Sequence, residues 1–107
     1  MRIEDYTKII EKKRLAEAER HKGNEYMKAK EFDEAITSYT RAIADDATEP
    51  ASYSNRALAY LRQKKYTQCI EDSNSCLKLD SKFIKANHRR GKAYQALKKW
   101  DLAIRDY

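Results

Sequence analysis

Glycine and proline are close to absent from this chain, two and one respectively among 107 residues. Sandwiches, barrels and flexible linkers use more of both, so the shortage points to a helical protein. Long apolar runs are missing too, and none approaches the roughly 20 residues that span a bilayer. The amino terminus carries Arg2, Glu4 and Asp5 where a signal peptide needs an apolar stretch. No Asn-x-Ser/Thr sequon occurs. The expectation from these absences is a cytoplasmic protein with no membrane contact.

Cysteine is scarce as well. Cys69 and Cys76 stand seven apart within one expected helix. A rise of about 1.5 Å per residue separates them by roughly 10 Å, beyond disulfide reach. They read as small buried packing residues. Neither His21 nor His88 falls at a ligand spacing from either cysteine, so no metal site is expected. A Gly-rich phosphate loop, a Ser or Cys paired with a His at a recognisable spacing, and a carboxylate pair in a pocket are all missing. No catalytic residue and no cofactor is assigned, and the chain reads as a non-enzyme.

What the chain has in quantity is charge. Lys and Arg outnumber Asp and Glu by 23 to 17, for a formal charge of +6. That surplus favours an acidic partner, whether nucleic acid, anionic membrane or acidic peptide. A length of 107 residues allows one domain with a modest core.

The chain also repeats itself. Shifted by 34 residues, Gly23, Ala57 and Gly91 align as small residues, and Tyr26, Tyr60 and Tyr94 follow three positions later. Phe32, Tyr66 and Trp100 align as aromatics, then Ala35, Cys69 and Ala103 as small residues. Ile36, Ile70 and Ile104 match outright, and Tyr39 agrees with Tyr107 across two periods. A period of this length marks a stacked solenoid. Within each period spacings of three and four dominate, which gives two helices per repeat. The small residues let paired helices approach and the aromatics fill the space between them.

Breaks are expected near Ala29–Glu31, Asp45–Glu49, Lys64–Lys65, Asp80–Lys82 and Lys98–Lys99. Pro50 suits a first helical turn, and Asp80-Ser81 offers capping oxygens. Helices are therefore expected at about 3–29, 32–45, 50–63, 66–79, 83–97 and 100–107. The fold class is all-α, a right-handed α-solenoid of about three helix-turn-helix repeats at 16–49, 50–83 and an incomplete 84–107. Residues 1–15 form a charged helical extension of the first repeat.

Five polar residues stand out once repeats are numbered from Ala16, Pro50 and Ile84. Arg20 and Asn24 take positions 5 and 9, Asn55 position 6, and Lys85 and Arg89 positions 2 and 6. At about 100° per residue they fall within roughly 100° of arc, away from the core positions. Equivalent faces of successive first helices line one concave surface in a solenoid. Three cations and two amides then converge on one groove. A C-terminal Asp suits such a set, because its two carboxylates take the cations and the amides give directed hydrogen bonds.

The small-x-x-Tyr, aromatic, and Ala/Cys series over residues 16–107 resembles the tetratricopeptide repeat (TPR). Glu19, Tyr53 and Asn87 stand where that repeat usually has a Trp. The five polar residues resemble the dicarboxylate clamp of TPR co-chaperones, in which Lys-x-x-x-Asn, Asn and Lys-x-x-x-Arg occupy successive repeats. The matching segments here are Arg20-His21-Lys22-Gly23-Asn24, Tyr53-Ser54-Asn55-Arg56-Ala57 and Lys85-Ala86-Asn87-His88-Arg89. The resemblance implies binding of the Glu-Glu-Val-Asp tails of heat-shock protein 70 and heat-shock protein 90. Arg20 departs from the family Lys, keeping charge but changing donor geometry. Further along the surface, Leu58, Leu61 and Arg62 are a secondary groove for the upstream part of the tail.

Charge distribution agrees, since segments 32–46, 66–80 and 100–107 hold nine acids and three bases. The basic surplus therefore sits on first helices, turns and the extension. Nucleic-acid binding is not expected, because the aromatics follow the core period and few are free to stack. The rival reading is a general scaffold that takes an internal peptide of a non-chaperone partner. The third repeat lacks a helix to cover its apolar face, so the chain is expected to belong to a larger multidomain protein.

Overall fold

The computed structural model describes residues 2–105, with side chains through Lys98. The described residues form five helices in succession: α1 (Ile3–Lys28), α2 (Phe32–Asp45), α3 (Pro50–Arg62), α4 (Tyr66–Leu79) and α5 (Ile84–Arg105). Among the described residues there is no strand. Each helix packs on its sequence neighbours, and the first helices α1, α3 and α5 also touch along their edges. The result is an elongated stack 63 Å in its longest dimension.

The 34-residue period places equivalent side chains at equivalent depths. In α2 the buried residues are Ala35, Ser38, Tyr39 and Ala42. In α4 they are Cys69, Asp72, Ser73 and Cys76, the same four positions one repeat later. Both cysteines are free and fully buried, in keeping with their reading as packing residues. The small residues of the first helices carry the other half of the core, with Ala16, Ala57, Ala59, Ala86 and Ala93 buried. One close approach requires glycine. A Cβ on Gly23 would lie 2.6 Å from Cε1 of Tyr39, whose ring fills the α1–α2 contact.

Turns are built from local chemistry. Lys30 and Lys64 adopt φ of 59° and 62°, the left-handed conformation that ends a helix. Each lets the next amide reach back five residues to a tyrosine carbonyl, Glu31 to Tyr26 and Lys65 to Tyr60, both at 2.9 Å. A non-glycine residue there costs about 1–2 kcal/mol. At the other connections Asp46 and Asp80 use Oδ1 to accept from the amides of Thr48 and Lys82, each at 3.0 Å. Pro50 opens α3, and the Glu49 carboxylate accepts from the Ala51 amide.

One expected break does not occur. Lys98 is the repeat equivalent of Lys30 and Lys64, yet α5 runs unbroken from Ile84 to Arg105. The left-handed turn is strained and has to be offset by what the following helix buries. After Lys30 and Lys64 a 14-residue helix follows each time. No described helix packs back on α5 beyond Lys98, so the backbone there keeps the locally cheaper helical course. Trp100, Ala103, Ile104 and Tyr107 lie outside the described side chains. Tyr94 also departs from the expected core role and is 53% exposed.

The extension is the first half of α1, helical from Ile3. Lys13 ties it to the α2–α3 turn through Asp46 at 3.3 Å and Thr48 at 3.2 Å.

Candidate functional site

Three first helices bring the five polar residues together in two groups. Arg20 and Asn24 lie one turn apart on α1, and Asn55 faces them from α3. The Asn24 carboxamide oxygen accepts two hydrogen bonds, from the Tyr39 hydroxyl at 2.5 Å and from Nδ2 of Asn55 at 3.1 Å. That single oxygen joins α1, α2 and α3. On the other side Arg89 donates from Nη1 to the Ser54 carbonyl at 2.6 Å and to its hydroxyl at 2.7 Å. Ser54 is fully buried, so Arg89 is pinned to the wall of α3.

The sequence pattern sets these five apart from the core, but three of them are half-buried and bonded into the helix contacts. Asn24, Asn55 and Arg89 are of this kind, while Lys85 is exposed and Arg20 is half-buried. Helices crossing at these contacts bring polar groups from facing repeats into the same space.

Electrostatics point the same way. Burial pushes the Tyr39 phenol up to about 12, against the opposing influence of Arg89 and Arg20. Both arginines therefore sit within Coulombic reach of one phenol, Arg20 from α1 and Arg89 from α5. Burial lowers the Arg89 guanidinium from its ordinary value, and Arg62 adds to that lowering. The ion pairs among the described residues use Lys13, His21, Lys28 and Arg56. Arg20, Arg62, Lys85, Arg89 and Lys92 have no carboxylate within 4 Å among the described residues. Their charge is available to an external anion.

A cleft of about 450 Å³ opens between α3 and α5. Lys85 and Arg89 line it, together with Leu58, Leu61 and Arg62 of the expected secondary groove. Ile84, His88 and Lys92 complete its wall and were not singled out from sequence. The repeat register carried a signal for two of them, since His88 shares position 5 with Arg20 and Lys92 shares position 9 with Asn24. Two neighbouring clefts of about 510 and 400 Å³ share Leu58 and Arg62 with the first, so one groove crosses α1, α3 and α5. No acidic side chain lines any of the three. Arg20, Asn24 and Asn55 line none of them; the two asparagines meet instead at the Tyr39 junction, and Arg20 acts on the same phenol through its charge.

Among the described residues no group of three or more His, Cys, Asp or Glu could hold a metal ion. Nor is any described helix long and apolar enough to cross a membrane.

A stack of paired helices with a cation-lined inner groove is a helical-repeat solenoid. Its sequence matches the TPR repeat profile over residues 23–64 and the tetratricopeptide repeat profile over residues 50–83. The chain belongs to the tetratricopeptide-repeat family. It is 39% identical over 92 residues to serine/threonine-protein phosphatase 5 of Homo sapiens, covering 86% of this chain and 18% of that protein. The chain thus spans under a fifth of the length of that relative. Among solved structures, the second TPR of Spaghetti (RPAP3) bound to the HSP90 peptide SRMEEVD aligns with a TM-score of 0.79 and 37% identity, over 88% of this chain and 87% of that one. The second TPR domain of human RPAP3 in complex with the HSP70 peptide SGPTIEEVD aligns with a TM-score of 0.76 and 37% identity, covering 86% and 77%.

Proposed function

We propose that this chain is a non-catalytic adaptor module that clamps the acidic C-terminal tail of a heat-shock protein 70 or heat-shock protein 90 chaperone. The observation that carries the reading is the uncompensated positive charge on one groove face, backed by a hydrogen-bonded pair of asparagines. A tail ending in Asp brings two carboxylates close together. Arg20, Lys85 and Arg89 balance them, and the amides of Asn24 and Asn55 direct hydrogen bonds to them. Because Arg89, Asn24 and Asn55 are already held in place, little side-chain entropy is lost on binding.

The cleft between α3 and α5 then takes upstream residues of the tail. Leu58, Leu61 and Ile84 offer apolar contact, and Arg62 and Lys92 await acidic side chains. The peptides bound by the two aligned RPAP3 domains both end in Glu-Glu-Val-Asp, which supports the same ligand here. We take residues 16–107 as the binding module and 1–15 as its helical extension. In this reading the module acts in the cytoplasm as one segment of a longer protein.

Titration calorimetry with a free-acid Glu-Glu-Val-Asp peptide and its amidated twin tests the proposal. The exposed Lys85 is the cleanest site to alter, since its side chain has no hydrogen-bond or ion-pair partner among the described residues. Lys85→Ala should lose about 1.5–3 kcal/mol of binding, the usual range for a charged hydrogen bond. Amidation should cost at least as much, and added salt should weaken the wild-type complex. Equal affinity for both peptides would shift the reading to an internal-peptide scaffold.

A further inference from the structure

The junction of α1, α2 and α3 contains a buried hydroxyl whose position follows from the fold, and whose proton fixes what the Asn24 amide can offer a ligand. Tyr39 is fully buried in α2. Its ring lies directly beneath Gly23, where any side chain would collide with it at 2.6–2.9 Å. That close approach carries the hydroxyl past the α1 backbone to the oxygen of Asn24 at 2.5 Å. No other acceptor bonds the hydroxyl among the described residues.

We propose that Tyr39 is a positioning residue, whose hydroxyl sets the orientation of the Asn24 carboxamide and thereby makes that amide a pure donor. The inference rests on the clamp reading for its consequence, but not for its geometry. A carboxamide oxygen has two acceptor sites and its nitrogen has two donors. Tyr39 fills one oxygen site and Asn55 Nδ2 fills the other. Both acceptor sites are filled within the fold, so the two N–H groups are what the amide has left for a ligand. A reversed amide would present nitrogen to the phenol and leave the phenol proton without an acceptor in a buried site, a costly arrangement.

The phenol keeps its proton throughout the pH range in which the protein works, because burial holds it near 12. The donor that aligns Asn24 is therefore always present. The second repeat shows what happens without this pair. Its equivalents of Tyr39 and Asn24 are Ser73 and Leu58, and the buried Ser73 hydroxyl bonds to nothing among the described residues. Among the described residues the aligning contact is built once, at the place where the clamp amides meet.

Tyr39→Phe removes the hydroxyl while leaving the ring under Gly23, and two measurements read its effect. The first needs no ligand. In wild type, water exchange of the side-chain amide protons should be fast for both Asn24 protons and slow for one of Asn55. In Tyr39→Phe that contrast should fade as Asn24 reorients. Slow exchange at an Asn24 amide proton in wild type would overturn the proposal. The second compares free-acid and amidated tail peptides on both proteins. Tyr39→Phe should weaken free-acid binding about tenfold, the worth of one hydrogen bond of roughly 1.4 kcal/mol, and leave the amidated peptide unchanged. Unaltered free-acid affinity in a folded variant would also overturn it. Wild type that ignores the free carboxylate would defeat the clamp reading alone, and the exchange measurement would still decide the orientation. A variant that fails to fold leaves the wild-type exchange pattern as the deciding result.

Discussion

Helices α3 and α5 carry the same pattern 34 residues apart, yet α3 is enclosed by neighbours and α5 presents an open edge. In α3, Ala57 is fully buried, and Tyr60 packs against a cluster of Ala57, Cys69 and Ala93. In α5 the matching Gly91 has nothing within 4 Å of its would-be Cβ, and the matching Tyr94 is 53% exposed. Arginines at position 7 differ in the same sense. Arg56 forms a two-pronged pair with buried Asp72, at 2.7 Å for both contacts, and reaches Thr40 of the preceding repeat. Among the described residues Arg90 reaches the equivalent residue of its preceding repeat, Asn74, and otherwise bonds Asn87 of its own helix. The pattern therefore marks which face a helix offers to its neighbours. How much of that face is covered depends on the helices placed beside it.

The comparison can be broken most forcefully at the ion pair. Asp72→Ala should destabilise the fold by about 3–5 kcal/mol, because Arg56 would be left charged and half-buried without its partner. Asn74→Ala, at the contact of Arg90, should cost only about 1 kcal/mol. Urea unfolding of the two variants separates them.

Glycine replacements sharpen the same contrast. Gly23→Ala forces a Cβ into the Tyr39 ring, and overpacking costs about 1–3 kcal/mol. After roughly 1 kcal/mol is returned by the better helix propensity of Ala, the net loss should be about 1–2 kcal/mol. Gly91→Ala meets no obstacle and should stabilise by up to about 1 kcal/mol. Opposite shifts in the thermal midpoint are the expected result, and parallel shifts would show that the two sites are equally packed.

The smallest effect lies at the α2–α3 turn. Burial raises the Asp46 carboxyl, but hydrogen bonds from Thr48 and Lys13 outweigh it and hold the carboxyl below its ordinary value. A depressed folded value means that the stabilisation is present above the ordinary carboxylate range and is lost as pH falls through the folded value. Asp46→Asn should therefore be less stable than wild type near neutral pH, and the gap should close below about pH 4. Unfolding curves across that range would show whether it does.

Much of this architecture is written locally. Pro50, Asp80 and the paired lysines at Lys64–Lys65 punctuate helices through their own backbone preferences, so the first four helices lie within a residue of the sequence reading. The break at Lys98 has the same local residue and fails, because its cost is offset only by a packed following helix. Similar logic governs the groove. The 34-residue register shows which positions share a face, and so gathers Arg20, Asn24, Asn55, Lys85 and Arg89. It is silent on Tyr39 bonding Asn24 and on Arg89 bonding Ser54, because those contacts join residues 15 and 35 positions apart across crossing helices.

The buried thiols of α4 carry one more consequence. Burial holds both Cys69 and Cys76 above the ordinary thiol range, with Cys76 pushed up to about 11. Alkylating reagents attack thiolates, and the folded chain offers them neither the anion nor a path to it. Labelling must wait until α4 parts from α3 and α5. Each cysteine is thus a chemical clock for the opening of the second repeat, and their spacing of seven positions lets one clock time each half of the same helix.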